Sequence, residues 1–490
     1  MKHALLRGRP LLAATIALAL AACARAPAKL DHPALRDDVP LAGLQGPVRT
    51  GWPDASWWRA YGDAQLDDLM NRALRQSPDL ALAQSRVQGA QQSARLAAAQ
   101  MGLTINGSAQ VARQRMSENG LIPSQFLGFT WYTQGDLAVQ LQYDFDWWGR
   151  KRATVEAALD QARAAEAQRA AAALAIQYAV ADTYVGWQAD QARLRVIDEQ
   201  IDVQRELAHI AQLRVTQGVD LPDEVQKAQA QLAALKGMRV AIDGSAQIRR
   251  VALAALLGVS TADLPTLHAQ PLPAVAGGLP ADARLDLIAR RPDIAASRWQ
   301  VEAALKQTDA ARAAFFPDIG ISAMAGLSSI DMGKLLNAGS RTFALTPALH
   351  LPIFNGGALQ AGYGVSKAQL DTAVAQYNAA VLDAARDVAT QALGAEQIAA
   401  RRQAQQAQLD ANQQLLASAQ ARLRQGVRDA RESLAAKAQW LQQRDEALQL
   451  QARALTTDLA LIKALGGGYR AASPTAPLSP VAGATEHERH

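Results

Sequence analysis

The sequence predicts a mainly α-helical chain that also contributes strands to a membrane β-barrel. Three observations carry this reading: the 490-residue chain repeats itself, each repeat holds a pair of alternating strands, and residues 150–214 contain no proline. Composition agrees. The chain is 49% hydrophobic and only 5% aromatic, with Ala and Gln filling long stretches, which suits extended helices in small-residue contact. That apolar content excludes disorder for most of the chain.

The N-terminus reads as a secretory signal over residues 1–22. Lys2, Arg7 and Arg9 form a basic start, and Leu11 to Ala22 form an apolar run. The run is too short for a membrane span of about 20 residues. It ends Leu20-Ala21-Ala22-Cys23, like a bacterial lipobox, so Cys23 is expected to become the lipidated first residue. Cys23 is the sole cysteine, which rules out an intrachain disulfide. Each buried methylene of an acyl chain adds roughly 0.8 kcal/mol of anchoring. Removing the signal leaves 47 basic against 45 acidic side chains, so charge lends no support to a nucleic-acid partner. No later segment reads as a transmembrane helix: the Ala-rich stretch near Ala170 is broken by Arg169, Gln177 and Asp182.

The repeat organises the rest. Ser77-Pro78-Asp79-Leu80 matches Arg291-Pro292-Asp293-Ile294, Gln217-Gly218-Val219 matches Gln425-Gly426-Val427, and Leu257-Gly258 matches Leu465-Gly466, each about 210 residues apart. The expected organisation is an N-terminal segment 23–76, a first repeat 77–257, a Pro-rich linker 258–290, a second repeat 291–465 and a tail 466–490, its end expected to be disordered. Each repeat reads helix, strand, loop, strand, long helix, turn, helix. The first helix of each opens with Pro in its first turn and Asp beside the positive helix end.

The strands are expected at 103–113 and 135–146, then at 318–328 and 341–353. Ile105, Gly107, Ala109 and Val111 alternate with Thr104, Asn106, Ser108 and Gln110. Leu137, Val139, Leu141, Tyr143 and Phe145 alternate with Asp136, Ala138, Gln140, Gln142 and Asp144. Ile319 to Leu327 and Phe343 to Leu351 repeat the pattern, with Pro347 a defect that suits an edge or a bulge. About ten residues is the length of a tilted strand crossing a bilayer. Phe126, Phe129, Trp131 and Tyr132 cluster at one end, and Trp147, Trp148, Phe315, Phe316 and Phe354 at the other, as interfacial girdles do. The smallest bacterial barrels have eight strands, so a chain with four must share its barrel with other copies.

Residues 150–214 would make a helix of roughly 97 Å, which needs partners along its length. Leu194, Ile197, Ile201, Ala208, Ala211 and Val215 form one apolar seam, with Gln204 the exception. Val196, Val203, Leu207 and Ile210 form a second. Two seams suit a helix packed between neighbours on both sides, as in a cylinder of helices.

Enzyme signatures do not emerge. The seven histidines are scattered, there is no His-Glu-x-x-His and no Gly-x-Ser-x-Gly, and no phosphate-binding loop ends in Lys-Ser/Thr. No metal or cofactor is expected. His487 and His490 fall in the polar tail, and His209 and His350 read as helix and lumen residues. Arg150-Lys151-Arg152 reads as a basic cluster where barrel meets helices.

Several motifs in this order resemble the TolC-like outer-membrane efflux channels, in the lipoprotein branch near OprM and NodT. They are the lipobox at Cys23, Trp57-Trp58 before Tyr61-Gly62-Asp63, Phe145-Asp146-Trp147-Trp148-Gly149-Arg150, Arg291-Pro292-Asp293-Ile294, Phe316-Pro317-Asp318, Pro352-Ile353-Phe354-Asn355-Gly356-Gly357 and the paired Gln-Gly-Val turns. The resemblance implies a homotrimer with a twelve-strand barrel in outer-membrane lipid and a twelve-helix periplasmic tunnel. It implies a passive export duct for drugs or small toxic compounds, working with a periplasmic adaptor and an inner-membrane pump. The turns at 217–223 and 425–431 would then form the periplasmic tip, with Gly218 and Gly426 ending the long helices. Asp220, Asp223 and Glu224 surround the first, and Arg428, Asp429, Arg431 and Glu432 the second. By resemblance Arg428 occupies the gate-arginine position, with Asp223, Glu224 and Glu432 as carboxylates to face it. Leu423 stands where the family often has an aromatic.

Overall fold

The computed structural model describes residues 26–31, 33–36, 48–49, 51–117, 128–275, 278–280 and 288–471. The expected signal segment, Cys23, Phe126, His487 and His490 lie outside them. The described residues fall into two compact units.

The first unit comprises Gln88–Ala164 and Arg298–Gln376 with the N-terminal segment up to Leu35. Its centre is a four-stranded antiparallel sheet. Two strands come from each repeat: β2 (Thr104–Arg115) and β3 (Trp131–Phe145), then β5 (Asp318–Ser329) and β6 (Arg341–His350). Their order is β2-β3-β5-β6, so β2 and β6 are the edges. β3 starts earlier than its alternation suggests, because Trp131, Tyr132 and Thr133 extend the ladder opposite Arg115, Gln114 and Arg113. β6 stops at His350, two residues short of Pro352, which has no N–H to donate. Pro347 lies in this edge strand opposite Ile321.

The second unit comprises the stretch from Arg36 to Val87, Ala165–Ser297 and the chain from Tyr377 onward. Two 67-residue helices run through the two units, α3 (Arg150–Thr216) and α6 (Ala358–Arg424). Each is followed by a shorter return helix, α4 (Pro222–Leu257) and α7 (Ala430–Ala464). The remaining helices are α1 (Ala64–Gln76), α2 (Pro78–Ala99) and α5 (Pro292–Ala313). α2 and α5 both begin on proline, whose fixed φ suits a first helical position. A two-residue parallel pairing joins β1 (Val48–Arg49) to β4 (Leu279–Pro280).

α1 forms because Asp63 caps it, accepting from the amides of Gln65 and Leu66, and because Leu66, Leu69, Met70 and Ala73 recur on one face. That face joins Trp57 and Trp58 in a core with Val180, Ala181 and Tyr184 of α3, Leu253 and Leu257 of α4, and Leu455 and Leu459 of α7. The second seam of α3 packs on α7: Val196 and Val203 meet Leu441, which is fully buried. Gln204 is buried in the first seam, and its amide donates to the Ala228 carbonyl and to Gln231. The end of α7 needs Gly466, at φ 90°, because a Cβ there would overlap the Arg290 carbonyl.

Candidate functional site

The sheet register puts the Ile, Leu, Val and Phe residues of the four strands on one face. Ile105 lies opposite Leu141, Leu141 opposite Ala323, and Ala323 opposite Leu345. The other face carries Thr104, Asn106, Ser108, Gln140, Gln142, Ser322, Thr346 and His350. There Ser328 donates to Asp136 at 2.6 Å, and Gln134 donates to both. Phe343, Leu345 and Leu349 are 85%, 68% and 69% exposed, an apolar load that water does not tolerate on a folded surface and hydrocarbon does.

Where β3 runs into α3, the carboxylates of the polar face meet the basic triplet. Lys151 pairs with Asp144 at 3.3 Å and Arg150 with Asp318 at 3.0 Å. Asp146 accepts from the amides of Lys151 and Arg152, satisfying donors of the first helical turn. Trp148 stacks on Phe316 at 4.6 Å and donates to the Pro317 carbonyl. Arg312 covers the Phe316 ring and donates to the Pro27 carbonyl at 2.7 Å. Tyr363 donates to the next carbonyl, that of Ala28.

The two helix turns have the same backbone. Gly218 and Gly426 sit at φ 72° and 70°. Val219 donates to the Arg214 carbonyl and Val427 to the Arg422 carbonyl, closing the loop that ends a helix on a left-handed residue. The charges on these equal frames differ. Asp220 accepts from two nitrogens of Arg214, at 2.7 and 2.9 Å, and lies 3.6 Å from Arg431 of the second turn. The Arg214 hydrogen bonds hold its carboxyl below the usual aspartate range. Asp429 caps α7, accepting from the amides of Arg431 and Glu432. Burial pushes the Asp429 carboxyl up, and Arg431 with the capping amides brings it below its ordinary value. Glu432 accepts from Arg422 at 3.2 Å and from Arg428 at 3.3 Å. Glu224 holds Lys227 at 2.7 Å, and Asp223 is exposed. Within the chain, then, Arg428 meets Glu432, and Asp220 links the two turns.

Sequence patterning does not reveal the polar clasp on α3. Tyr184 donates to Asp63 at 2.7 Å and accepts from Gln65 and Gln188. Burial pushes the Tyr184 hydroxyl well above the ordinary tyrosine value. Gln65 and Gln188 then hold the linker, each donating to the His268 carbonyl and accepting from the amides of His268 and Gln270. Further along, Arg193 of α3 makes a two-nitrogen pair with Asp445 of α7, at 2.7 and 3.2 Å. Among the described residues no three His, Cys, Asp or Glu side chains gather as a metal site.

The model of the outer membrane efflux protein family matches residues 69–259 and 285–467. The chain is 34% identical over 445 residues to the multidrug resistance outer membrane protein MdtP of Escherichia coli O6:H1, covering 89% of this chain and 90% of that one. It superposes on the outer membrane protein VceC of Vibrio cholerae with a TM-score of 0.77 at 32% identity, over 85% of this chain and 100% of that one. The Campylobacter jejuni CmeC outer membrane channel shares the fold, with a TM-score of 0.82 at 21% identity over 91% of this chain and 96% of that one.

Proposed function

The chain belongs to the outer membrane efflux protein family, and from that premise we propose that it is the passive outer-membrane duct of a three-part exporter. Three copies would close one barrel of twelve strands, continued by a helical tunnel. The observation that carries this reading is the sheet: one continuous apolar face, one polar face, and two unpaired edges in a single chain. A sheet buried in lipid has to leave no edge open, and joining β2 of one copy to β6 of the next removes all of them. A periplasmic adaptor and an inner-membrane pump are the partners, the pump supplying the energy. MdtP is named for multidrug resistance, and drugs or small toxic compounds are the cargo proposed here.

Cys23 carries the lipid in this reading. Its support is the bonding of the Pro27 and Ala28 carbonyls to Arg312 and Tyr363 beside the aromatic residues at the end of the sheet. The two helix turns form the periplasmic gate, with Asp220, Asp223, Glu224, Arg428, Asp429, Arg431 and Glu432 as its charges. The test is reconstitution of the purified protein in a planar bilayer, with its copy number read by native mass spectrometry. Ion conductance from a three-chain species is the expected result. An electrically silent bilayer, or a stable single chain, overturns the reading.

A further inference from the structure

The apolar face of the sheet changes character at one end. Along β2 it runs from Ile105, Gly107, Ala109 and Val111 to Arg113 and Arg115; along β6 it runs from Leu349, Leu345 and Phe343 to Arg341. Arg115 is the last residue of β2 and Arg341 the first of β6, so both lie at the same end of the sheet. All three arginines are exposed. Trp131 shares their face, with the Arg113 guanidinium 5.8 Å from its ring. The loop after β5 folds onto the same face, where Met332 and Leu335 approach Gly135. Its Ile330 and Leu336 are left exposed, Leu336 at 79%.

No carboxylate of the four strands points to this face: Asp136, Asp144 and Asp318 all alternate to the other one. At the opposite end of the sheet Arg150 and Lys151 pair with Asp318 and Asp144. Cations facing hydrocarbon are costly at the bilayer midplane and become favourable at an interface that supplies anions.

We propose that this end of the seam between copies binds the phosphorylated headgroup of an outer-leaflet lipid. The inference rests on the twelve-strand reading above. Within one chain β2 and β6 are opposite edges, three strand spacings or about 14 Å apart. In the closed ring they are neighbours and antiparallel, so Arg113 and Arg115 of one copy join Arg341 of the next. One chain alone holds half the site. Guanidinium forks grip phosphate oxygens in pairs. Acyl chains would follow Val111, Phe343 and Leu345 below the headgroup, with Trp131 at its level. The ligand chemistry is a phosphomonoester set close to several acyl chains.

The test uses the full chain, purified in mild detergent and stripped of lipid. It is incubated with bisphosphorylated lipid A or with the same glycolipid freed of its phosphates. Native mass spectrometry reads copy number and retained lipid together. The trimer is expected to keep the phosphorylated lipid at least tenfold better. Replacement by Arg113→Gln, Arg115→Gln and Arg341→Gln should abolish the preference in a protein that is still trimeric, and lysine at all three positions should retain most of it. A wild-type trimer that keeps both lipids equally overturns the site, as does a glutamine variant that keeps the preference. The wild-type comparison decides the matter without any substitution. A wild-type species other than a trimer overturns the twelve-strand reading instead, and the seam falls with it.

Discussion

Arginine placed at two adjacent positions of β3 should have opposite consequences. Val139 lies on the apolar face between Gly107 and Ala325, and Gln140 on the polar face between Asn106 and Met324. At about 3.3 Å per residue and a tilt near 45°, Val139 stands roughly 14 Å from Phe145 and 19 Å from Trp131, close to mid-bilayer. An arginine facing lipid at that depth costs about 2–4 kcal/mol. Three copies would bring Val139→Arg to about 6–12 kcal/mol per barrel, a loss of four orders of magnitude or more in assembly. Gln140→Arg adds a charge to a wet surface and should assemble normally while lowering conductance to cations. The assay is urea unfolding and the yield of assembled protein in lipid vesicles. If the two variants assemble equally well, the assignment of faces is wrong.

Asp220→Asn or Arg431→Ser should raise the conductance of the isolated channel and leave its copy number unchanged; single-channel recordings indistinguishable from wild type would place closure elsewhere. The carboxyls of Asp220 and Asp429 are held below their ordinary value of 3.8, so their pairs persist above it and are lost as pH falls through the lowered values. Conductance should therefore rise only in strong acid, and also in high salt, where exposed pairs are screened within about 8–10 Å. Cys23→Ser should block incorporation of labelled acyl chains, and continued labelling would refute the anchor. Leu441→Ala, at a fully buried contact between α3 and α7, should cost about 2–5 kcal/mol in denaturant unfolding, whereas an unchanged midpoint would contradict that packing.

The strands were legible because lipid on one face imposes period two, and the Ile, Leu, Val and Phe residues of β2, β3, β5 and β6 fall into one register, with Met324 on the opposite face. The early start of β3 was not, since Gln134 and Gly135 interrupt the apolar alternation and only the partner strand shows that pairing continues. The paired turns were legible from Gly218 and Gly426, whose φ values only glycine adopts easily. Their ion pairs were legible only in part. Of the carboxylates the sequence sets against Arg428, Glu432 does meet it within the chain, while Glu224 holds Lys227 and the side chains bring Asp220 back onto Arg214 and across to Arg431. Which charge reaches which depends on helix phase and on how the helix pairs meet. Gln204 reads as a break in an apolar seam for a similar reason: it donates to the main-chain carbonyl of Ala228 as well as to Gln231, and no side-chain pattern announces a main-chain partner.

The central pairing of the sheet sets a timetable for biogenesis. β2 with β3 and β5 with β6 are local hairpins, closed by short stretches of chain. β3 with β5 joins Phe145 to Ile319 and Gly135 to Ser329, across a long intervening helical segment. That joint cannot form until the whole of α3, α4 and the linker has been made and folded back, which is the slow, entropy-limited kind of contact. Even then the sheet exposes an apolar face and two open edges, a template for mispairing. A newly exported chain therefore has a vulnerable interval between finishing its helices and meeting its companions. Carriers that shield apolar surface in the periplasm, and the machinery that inserts barrels, have to act within that interval.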